Sequence, residues 1–307
     1  MLSRVADAVF WMARYMERND NVMRFLRTHY IASQDELLDF NWQHFADTLG
    51  TKDPEQQQEI KNYADALYYL ILSRQHQASI FTNTLRAREN ARSVQDFITK
   101  ELWQCLNDYY HNIRDPQTEN LLTQGDPVTV LDQLLLQSVI YYGTVDITMN
   151  RGEGYSFLNL GKYIERALQA LEALELKLQE TKASPLESVQ WKYLLYSLSG
   201  YEFHTKFYKN ALQTEDVIHQ VLYNVQFPHS VIYCLLQSER YFDRLDTVSL
   251  PEHFDELKFL LGKAVNDLRY SQVPGSDTGK VIELIHHTRL QIGTLNQKIG
   301  SLYFGYS

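Results

Sequence analysis

Proline placement is the feature that most constrains this chain, because none of its seven prolines interrupts an apolar helical period. A proline inside a helix removes a backbone hydrogen bond and clashes with the preceding turn, so prolines confined to helix ends indicate helices elsewhere. Residues 184–187 carry serine, proline and glutamate at the positions that a helix start prefers. Pro54, Pro127 and Pro251 predict helix starts in the same way, whereas Pro116, Pro228 and Pro274 are predicted to lie in polar connections.

The spacing of apolar residues predicts an all-α protein of about a dozen helices. The predicted spans are 3–30, 34–48, 54–73, 76–86, 88–113, 127–149, 153–181, 185–210, 214–224, 229–245, 251–270 and 278–303. Short connections between long helices favour an antiparallel bundle. Because no long flexible linker divides the sequence, we predict a single helical domain over residues 1–307.

Composition and charge exclude several classes of function. The net charge of −9 and the pI near 5.6 argue against binding to nucleic acid or to an anionic membrane. The longest apolar run, residues 67–72, is too short to span a bilayer, and the N-terminus lacks the pattern of a signal peptide. Cys105 and Cys234 lie in apolar helical patterns and are predicted to be buried, inert thiols. We therefore expect a soluble, cytoplasmic protein.

A six-residue pattern occurs twice in the chain, at residues 13–18 and at residues 161–166. The two copies, called here the first and second Glu-Arg segments, share tyrosine, glutamate and arginine and are conservative at the other three positions. A weaker similarity links residues 92–94 with residues 229–231 in the same order. We predict two pseudo-symmetric halves, about 1–145 and 146–307, that share one core. The alternative is chance recurrence on amphipathic helices.

Cationic side chains line one face of the first predicted helix. A helical wheel places the following residues together, opposite the apolar stripe: Arg4, Asp7, Trp11, Arg14 and Arg18. Glu17 lies off this row and is able to reach back towards Arg14.

The second Glu-Arg segment keeps Lys162, Glu165 and Arg166 in the same relation. If the halves pack about a two-fold axis, Arg18 and Arg166 converge and suit a carboxylate or phosphate, because guanidinium offers a planar fork to such oxyanions. The alternative is that these residues form ion pairs between helices and fix their packing.

The centre of the chain holds a third charged motif. Arg86, Glu89 and Asn90 share a face if their helix is continuous, and Arg92 follows one turn later. This set is a second candidate for anion binding, and a solvated charged face is the alternative.

A lone Glu283-x-x-His286 pair falls short of a di-iron site, which needs two such pairs and two further glutamates. We find no phosphate-binding loop or hydrolase motif, and we predict no metal and no cofactor; the motifs do not assign a catalytic residue.

The motifs together resemble those of the Alpha-E family, which consists of uncharacterised bacterial helical proteins named for a Glu-Arg motif. The resemblance rests on residues 2–7 with 11–18, residues 88–94 with 101–103, residues 161–167 and residues 227–231. Ala13 stands where the family usually has glycine, and His229 stands where it usually has arginine. The second departure weakens any claim that a cation at position 229 is essential.

The resemblance implies a single helical domain and a set of partners. Members commonly occur beside, or fused to, an ATP-grasp-like protein, often together with a transglutaminase-like peptidase. Our leading hypothesis is therefore an accessory or substrate-binding partner of an ATP-grasp-type amide or peptide ligase, which uses arginine-lined helix faces to hold an anionic group. The alternatives are an enzyme with Glu17 and Glu165 as acid and base groups in an arginine-lined cleft, or a purely structural interaction protein.

Overall fold

The structure, a computed structural model, describes residues 1–34, 42–43, 46, 60–180, 187–209, 212–245, 251–271 and 273–306. These residues are overwhelmingly helical and contain no β-strand, which confirms the predicted all-α class. No described helix is both long enough and apolar enough to cross a membrane. The predicted helix starts at Pro54 and Pro185, and most of the predicted helix 34–48, fall outside the described residues.

The chain divides into two compact units, and the boundary falls within the first helix. The first unit comprises Trp11–Met149, and the second comprises Met1–Phe10 with Asn150–Ser307. Each unit is described here by itself. The prediction of one domain with two pseudo-symmetric halves stays a prediction.

Among its described residues, the first unit contains most of α1 and five further helices. Their bounds are α1 Ser3–Ser33, α2 Tyr63–Leu67, α3 Ile80–Ser93, α4 Lys100–Arg114, α5 Pro116–Gln124 and α6 Pro127–Thr148. A π-helical turn, Tyr68–Leu72, continues α2, and a 3-10 turn, Gln95–Phe97, separates α3 from α4. Helix α4 packs against both α3 and α6. The core of this unit is formed by buried methionine and leucine side chains together with Tyr109 and Tyr141.

In the part of the second unit that the structure describes, seven helices follow its short share of α1. Their bounds are α7 Glu153–Glu180, α8 Glu187–Ser197, α9 Tyr201–Phe207, α10 Thr214–Tyr223, α11 Val231–Phe242, α12 Pro251–Tyr270 and α13 Thr278–Ile299. A π-helical turn, Gly300–Phe304, follows α13. Helix α7 packs against α11 and α13, and α12 packs against both of these helices. Trp191, Phe227 and Phe242 are among its largest buried side chains.

Several helix ends agree with the cap signals, and one does not. Asp126 caps α6 by accepting the backbone N–H of Val128, with Pro127 as the first helical residue. The prediction that Pro116 lies in a polar connection is wrong, because Asp115 caps α5 in the same way and Pro116 opens that helix. An Asp-Pro pair thus starts a helix at both places.

Two predicted boundaries are also wrong. The predicted break at residue 87 lies inside α3, and the chain instead breaks between Ser93 and Lys100, where the Thr99 hydroxyl caps α4. The predicted helix 185–210 is two helices, separated at Gly200. A Cβ at Gly200 would lie 2.6 Å from the Gln220 side-chain nitrogen and 2.7 Å from the Phe227 ring. This close approach requires glycine at the bend.

The two cysteines are both thiols. Cys234 is fully buried, as predicted, whereas Cys105 is only half-buried. Burial nevertheless raises the pKa of the Cys105 thiol to about 11, which keeps it protonated and unreactive near neutral pH.

Candidate functional site

The glutamate of the first Glu-Arg segment is buried in the first unit. Glu17 is 1% exposed, and its Oε2 accepts a hydrogen bond of 2.6 Å from the Tyr142 hydroxyl on α6. A hydroxyl bound to a carboxylate at this distance is a charge-assisted contact. The contact fixes Glu17 against α6, and no local pattern predicts it because the two residues lie 125 positions apart.

A second carboxylate is buried one turn further along α1. Asp20 is 2% exposed and accepts two hydrogen bonds from Arg24, at 2.8 Å from Nε and 3.2 Å from Nη2. Burial alone would lower the pKa of the Arg24 guanidinium, but Asp20, Tyr142 and Glu17 together raise it. The two carboxylates therefore belong to one ionic network. We did not predict this pair, although its i, i+4 spacing is a recognisable signal.

Arginines and aromatic rings alternate along the outer part of α1. The Arg14 guanidinium carbon lies 4.5 Å from the centre of the Trp11 ring, and the Trp11 and Tyr15 ring centres lie 5.6 Å apart. Arg18 lies 5.9 Å from the centre of the Tyr15 ring. Arg14 is buried, whereas the other three side chains are half-buried. The predicted row of cations thus exists here as a set of cation–π contacts.

A second helix brings another arginine to the same tyrosine. The Arg86 guanidinium carbon on α3 lies 5.9 Å from the centre of the Tyr15 ring. Its Nη1 donates to the Gln77 carbonyl at 3.0 Å, and its Nη2 donates to the Gln77 side-chain oxygen. Arg18 and Arg86 therefore approach one ring from two helices. These three residues, Tyr15, Arg18 and Arg86, are called here the Tyr15 site.

A buried asparagine holds α1 and α3 together near this site. Asn19 is fully buried, and its Nδ2 donates to the Thr84 hydroxyl at 2.9 Å and to the Ile80 carbonyl at 3.4 Å. Thr84 and Arg86 lie two residues apart on α3. The Asn19–Thr84 contact therefore fixes the position along α1 at which Arg86 contacts Tyr15.

The rest of the central motif points elsewhere. The Arg88 Nη1 lies 3.1 Å from Glu89, and the Arg92 Nη1 lies 3.5 Å from the other oxygen of that carboxylate. Arg88 also donates to Asn107 at 2.7 Å. Asn90 is half-buried on the continuous helix α3, as the spacing required. Glu89 thus takes part in surface ion pairs, and of the four predicted candidates only Arg86 reaches the Tyr15 site.

The second Glu-Arg segment has different surroundings in the second unit. Glu165 and Arg166 are 3% and 9% exposed. The Arg166 Nη1 donates to the Pro228 carbonyl at 3.3 Å, and its guanidinium carbon lies 5.5 Å from the centre of the Tyr163 ring. The Lys162 ammonium lies 4.9 Å from the same ring centre. Burial raises the pKa of the Tyr163 hydroxyl, so this phenol stays neutral at physiological pH.

Two predicted residues of the cationic row, Arg4 and Asp7, lie near the start of α1. Arg4 lies in the first turn of α1, is exposed and belongs to the second unit. Nearby Asp7 accepts a hydrogen bond from the Tyr306 hydroxyl, and burial raises the pKa of its carboxyl. The predicted convergence of Arg18 and Arg166 stays a prediction, because these residues belong to different units.

The predicted similarity of residues 92–94 to residues 229–231 does not correspond to similar structure. Ser93 is the last residue of α3, whereas Ser230 is the N-cap of α11. The residue that matches Ser230 is Ser79, the N-cap of α3.

No group of three or more histidine, cysteine, aspartate or glutamate side chains that is able to hold a metal ion occurs within the described part of the chain. His286, from the lone Glu-x-x-His motif, instead contacts Glu175 at 2.5 Å, and Arg289 contacts the same carboxylate at 2.5 Å.

Comparison with known proteins gives one result. The model of the Alpha-E family, described as a predicted alpha-helical domain with a conserved ER motif, matches residues 1–304. No curated protein and no solved structure matches the chain.

Proposed function

The chain belongs to the Alpha-E family, and we propose that it holds an anionic group at the Tyr15 site for a partner enzyme of the ATP-grasp ligase type. The anionic group is a carboxylate or a phosphate. The partner supplies ATP and forms the amide or peptide bond.

The observation that carries this proposal is the meeting of Arg18 and Arg86 at one tyrosine ring. Each guanidinium carbon lies 5.9 Å from the ring centre, so the two carbons are at most twice that distance apart. Both side chains are half-buried and come from different helices. Each guanidinium carries about five N–H donors in a plane, a geometry that matches the oxygens of a carboxylate or phosphate.

The ring contacts orient both guanidinium groups. An aromatic ring attracts a guanidinium and limits its rotation. A pair of oriented guanidinium groups is suited to a ligand with two or more acceptor oxygens.

The need for a partner follows from what the sequence lacks and from the family resemblance. The chain has no glycine-rich loop of the kind that holds nucleotide phosphates. In our proposal a second protein supplies the ATP that activates the carboxylate. The resemblance to a family found beside ATP-grasp-like proteins supports a ligase in that role, and a transglutaminase-like peptidase is a further expected partner.

The geometry gives less support to the enzyme alternative. An acid or base group must come within hydrogen-bond distance of the reacting group. Glu17 is 1% exposed and accepts a hydrogen bond from Tyr142. Glu165 is 3% exposed. Neither carboxylate is presented to solvent, which favours a role for both in packing.

Calorimetric titration with inorganic phosphate, and separately with succinate, tests the binding step. The double variant Arg18→Gln/Arg86→Gln should weaken binding of the better anion at least about tenfold, because it removes two charged donors. Arg114→Gln is the matched control. Arg114 also lies over a tyrosine of the first unit, 5.3 Å from the centre of the Tyr110 ring. Equal binding by the double variant would contradict the proposal.

A turnover assay tests the partnership. The ATP-grasp-like protein predicted as partner should hydrolyse ATP faster with a carboxylic acid and an amine when this protein is present. The Arg18→Gln/Arg86→Gln variant should lose that stimulation, while Arg114→Gln keeps it. If wild-type protein binds anions but never alters ligase turnover, the anion site stands and the ligase partnership is wrong.

A further inference from the structure

Helix α6, Pro127–Thr148, is apolar on two opposite faces. One face is buried in the first unit and includes Leu131, Leu134, Tyr141 and Val145. A helix that is apolar all round is expected to be covered on all sides. In this protein the second apolar face of α6 remains exposed.

The exposed face is a continuous stripe of side chains. Leu136 is 59% exposed, Ile140 is 48% exposed and Ile147 is 84% exposed. At about 100° per residue, these three residues and Gly143 fall within roughly 60° of the helix circumference, opposite the buried face. Val139, which is 54% exposed, borders the stripe. We call Leu136, Ile140, Gly143 and Ile147 the α6 stripe.

We propose that the α6 stripe is the interface of a homodimer, in which α6 pairs with α6 of a second copy in antiparallel orientation. The positions of the stripe are separated by four, three and four residues. This spacing is the same in both directions along the helix. A two-fold contact requires a surface that complements itself when reversed, and the stripe meets that condition.

The side chains also match when the stripe is reversed. An axis midway between positions 141 and 142 places Leu136 of one copy beside Ile147 of the other. It places Ile140 beside Gly143 of the other copy. An added Cβ at Gly143 would meet no atom within 4 Å in the protein itself. The glycine therefore leaves room on the outer face for a large side chain, and Ile140 of the second copy fills it. The spacing is also that of an a/d seam between paired helices.

The charges near the stripe favour a second copy over a membrane. Helix α6 contains no lysine or arginine, and its only charged residues are Asp132 and Asp146. Amphipathic helices that bind anionic lipid carry cations beside their apolar face. The uncharged residues Gln133 and Gln137 border the other side of the stripe and are compatible with a protein surface.

The size of the stripe predicts the strength of the dimer. The stripe runs over twelve residues, and the eleven steps between Leu136 and Ile147 correspond to about 16 Å of helix. A single seam of this length is smaller than the interfaces of tight complexes, which bury about 800 Å² on each partner. We therefore expect a reversible dimer with a dissociation constant on the order of 10 µM.

Sedimentation equilibrium of the full chain tests the proposal. Wild-type protein should shift from monomer to dimer across the concentration range around the expected constant. Ile140→Glu should weaken self-association at least about tenfold, because it places a charge in the centre of the seam. Leu290→Glu is the matched control, since Leu290 is 72% exposed on α13. A wild-type protein that stays monomeric to about 200 µM, or a dimer unaffected by Ile140→Glu, would overturn the proposal.

Two further measurements test whether the paired α6 helices are antiparallel and whether a lipid surface, instead of a second copy, covers the α6 stripe. In a mixture of Leu136→Cys and Ile147→Cys, oxidation should link the two variants to each other, whereas Leu136→Cys alone should link poorly. Preferential linkage of Leu136→Cys to itself would overturn the antiparallel arrangement. Flotation with phosphatidylcholine vesicles should leave the protein unbound. Vesicle binding without self-association would assign the stripe to a lipid surface and overturn the dimer.

Discussion

The two Glu-Arg segments have the same pattern and bury the same glutamate, yet their arginines lie in different environments. Arg166 is 9% exposed and donates to a backbone carbonyl at 3.3 Å. Arg18 is half-buried and shares the Tyr15 ring with Arg86. The segment itself therefore does not determine what its arginine does. The loop and helix that face each segment make the difference.

Residues 73–79 of the first unit and residues 224–230 of the second unit form loops with the same hydrogen-bond pattern. We call them the first and second loops. In the first unit, the Ser79 hydroxyl donates to the Ser73 carbonyl at 2.6 Å and accepts the N–H of Thr82 at 3.1 Å. In the second unit, the Ser230 hydroxyl donates to the carbonyl six residues earlier at 2.6 Å and accepts an N–H three residues later at 3.1 Å. Each serine thus closes its loop and caps the next helix.

The two loops differ in which arginine donates a hydrogen bond to their backbone. The carbonyl two residues before the serine accepts from Arg86 of α3 in the first loop. The corresponding carbonyl, that of Pro228, accepts from Arg166 of α7 in the second loop. The arginine of the Glu-Arg segment thus anchors the loop in the second unit. In the first unit Arg86 contacts the loop, and Arg18 lies beside it at Tyr15.

The largest expected difference concerns the ion pair of Asp20 and Arg24, which follows the first segment and whose matching positions after the second segment are Leu168 and Glu172. Asp20→Ala should lower the free energy of unfolding by about 3 kcal/mol, because it leaves Arg24 without its buried partner. Adding Arg24→Leu should recover part of that loss. Urea denaturation measures both. Glu172, at the position that matches Arg24, is exposed, so Glu172→Ala should cost less than Asp20→Ala. A similar loss for Asp20→Ala and Glu172→Ala would remove the distinction.

The arginines themselves provide the next test. Arg166→Ala should lower the free energy of unfolding by about 2 kcal/mol, since it removes a hydrogen bond and the packing of a buried side chain against Tyr163. Arg18→Ala should cost less than Arg166→Ala, because the Arg18 side chain is half-buried whereas Arg166 is buried. Thermal melts of the two variants, compared side by side, measure the difference. The reverse order would contradict our assignment of the two arginines.

The smallest expected effect on stability concerns a position at which the two loops carry different residues. His76 is fully buried, and neither of its ring nitrogens has a hydrogen-bond partner among the described residues. Phe227 occupies the matching position of the second loop, three residues before Ser230. His76→Phe should therefore raise the free energy of unfolding by about 1 kcal/mol. The reverse exchange, Phe227→His, should destabilise the protein. Destabilisation by His76→Phe would show that the imidazole has a partner or a role we have not identified.

The same histidine predicts a dependence on pH. Burial lowers the pKa of His76 in the folded protein. The unfolded chain therefore binds this proton more readily, and the folded state loses stability as the pH falls through about 6.5. His76→Phe should be less sensitive to acid than wild type between pH 7 and about 5, as measured by chemical denaturation at each pH. Parallel pH profiles for the two proteins would exclude His76 as the titrating group.

Local signals in the sequence predicted the fold well. Proline positions and apolar spacing placed α6, α7, α10, α12 and α13 close to their observed bounds, because a cap and a helical period are both properties of neighbouring residues. Helix α5 was missed even though Asp115-Pro116 carries the same start signal as Asp126-Pro127. The boundary between α3 and α4 was misplaced because residues 86–93 form a continuous helical period that crosses the predicted break.

The site was predictable only in part. A helical wheel placed Arg14 and Arg18 on one face of α1, but it gave no information on Tyr142 or Arg86, which come from other helices. The similarity of residues 92–94 to residues 229–231 was misleading, since it matched letters rather than helix ends. Ser79, followed by two apolar residues as Ser230 is, was the better match. Contacts between distant segments are set by packing, which a single sequence does not specify.

The central claim is that Arg18 and Arg86 bind an anion while Arg166 holds a loop. Nuclear magnetic resonance of the arginine Nε–Hε groups tests it directly, during titration with inorganic phosphate and with succinate. The signals are assigned from Arg18→Lys, Arg86→Lys and Arg166→Lys variants. We predict that the Arg18 and Arg86 signals shift together with one dissociation constant, while the Arg166 signal stays in place. A shift of Arg166 alone, or no shift of Arg18 and Arg86 with either anion, would contradict the account.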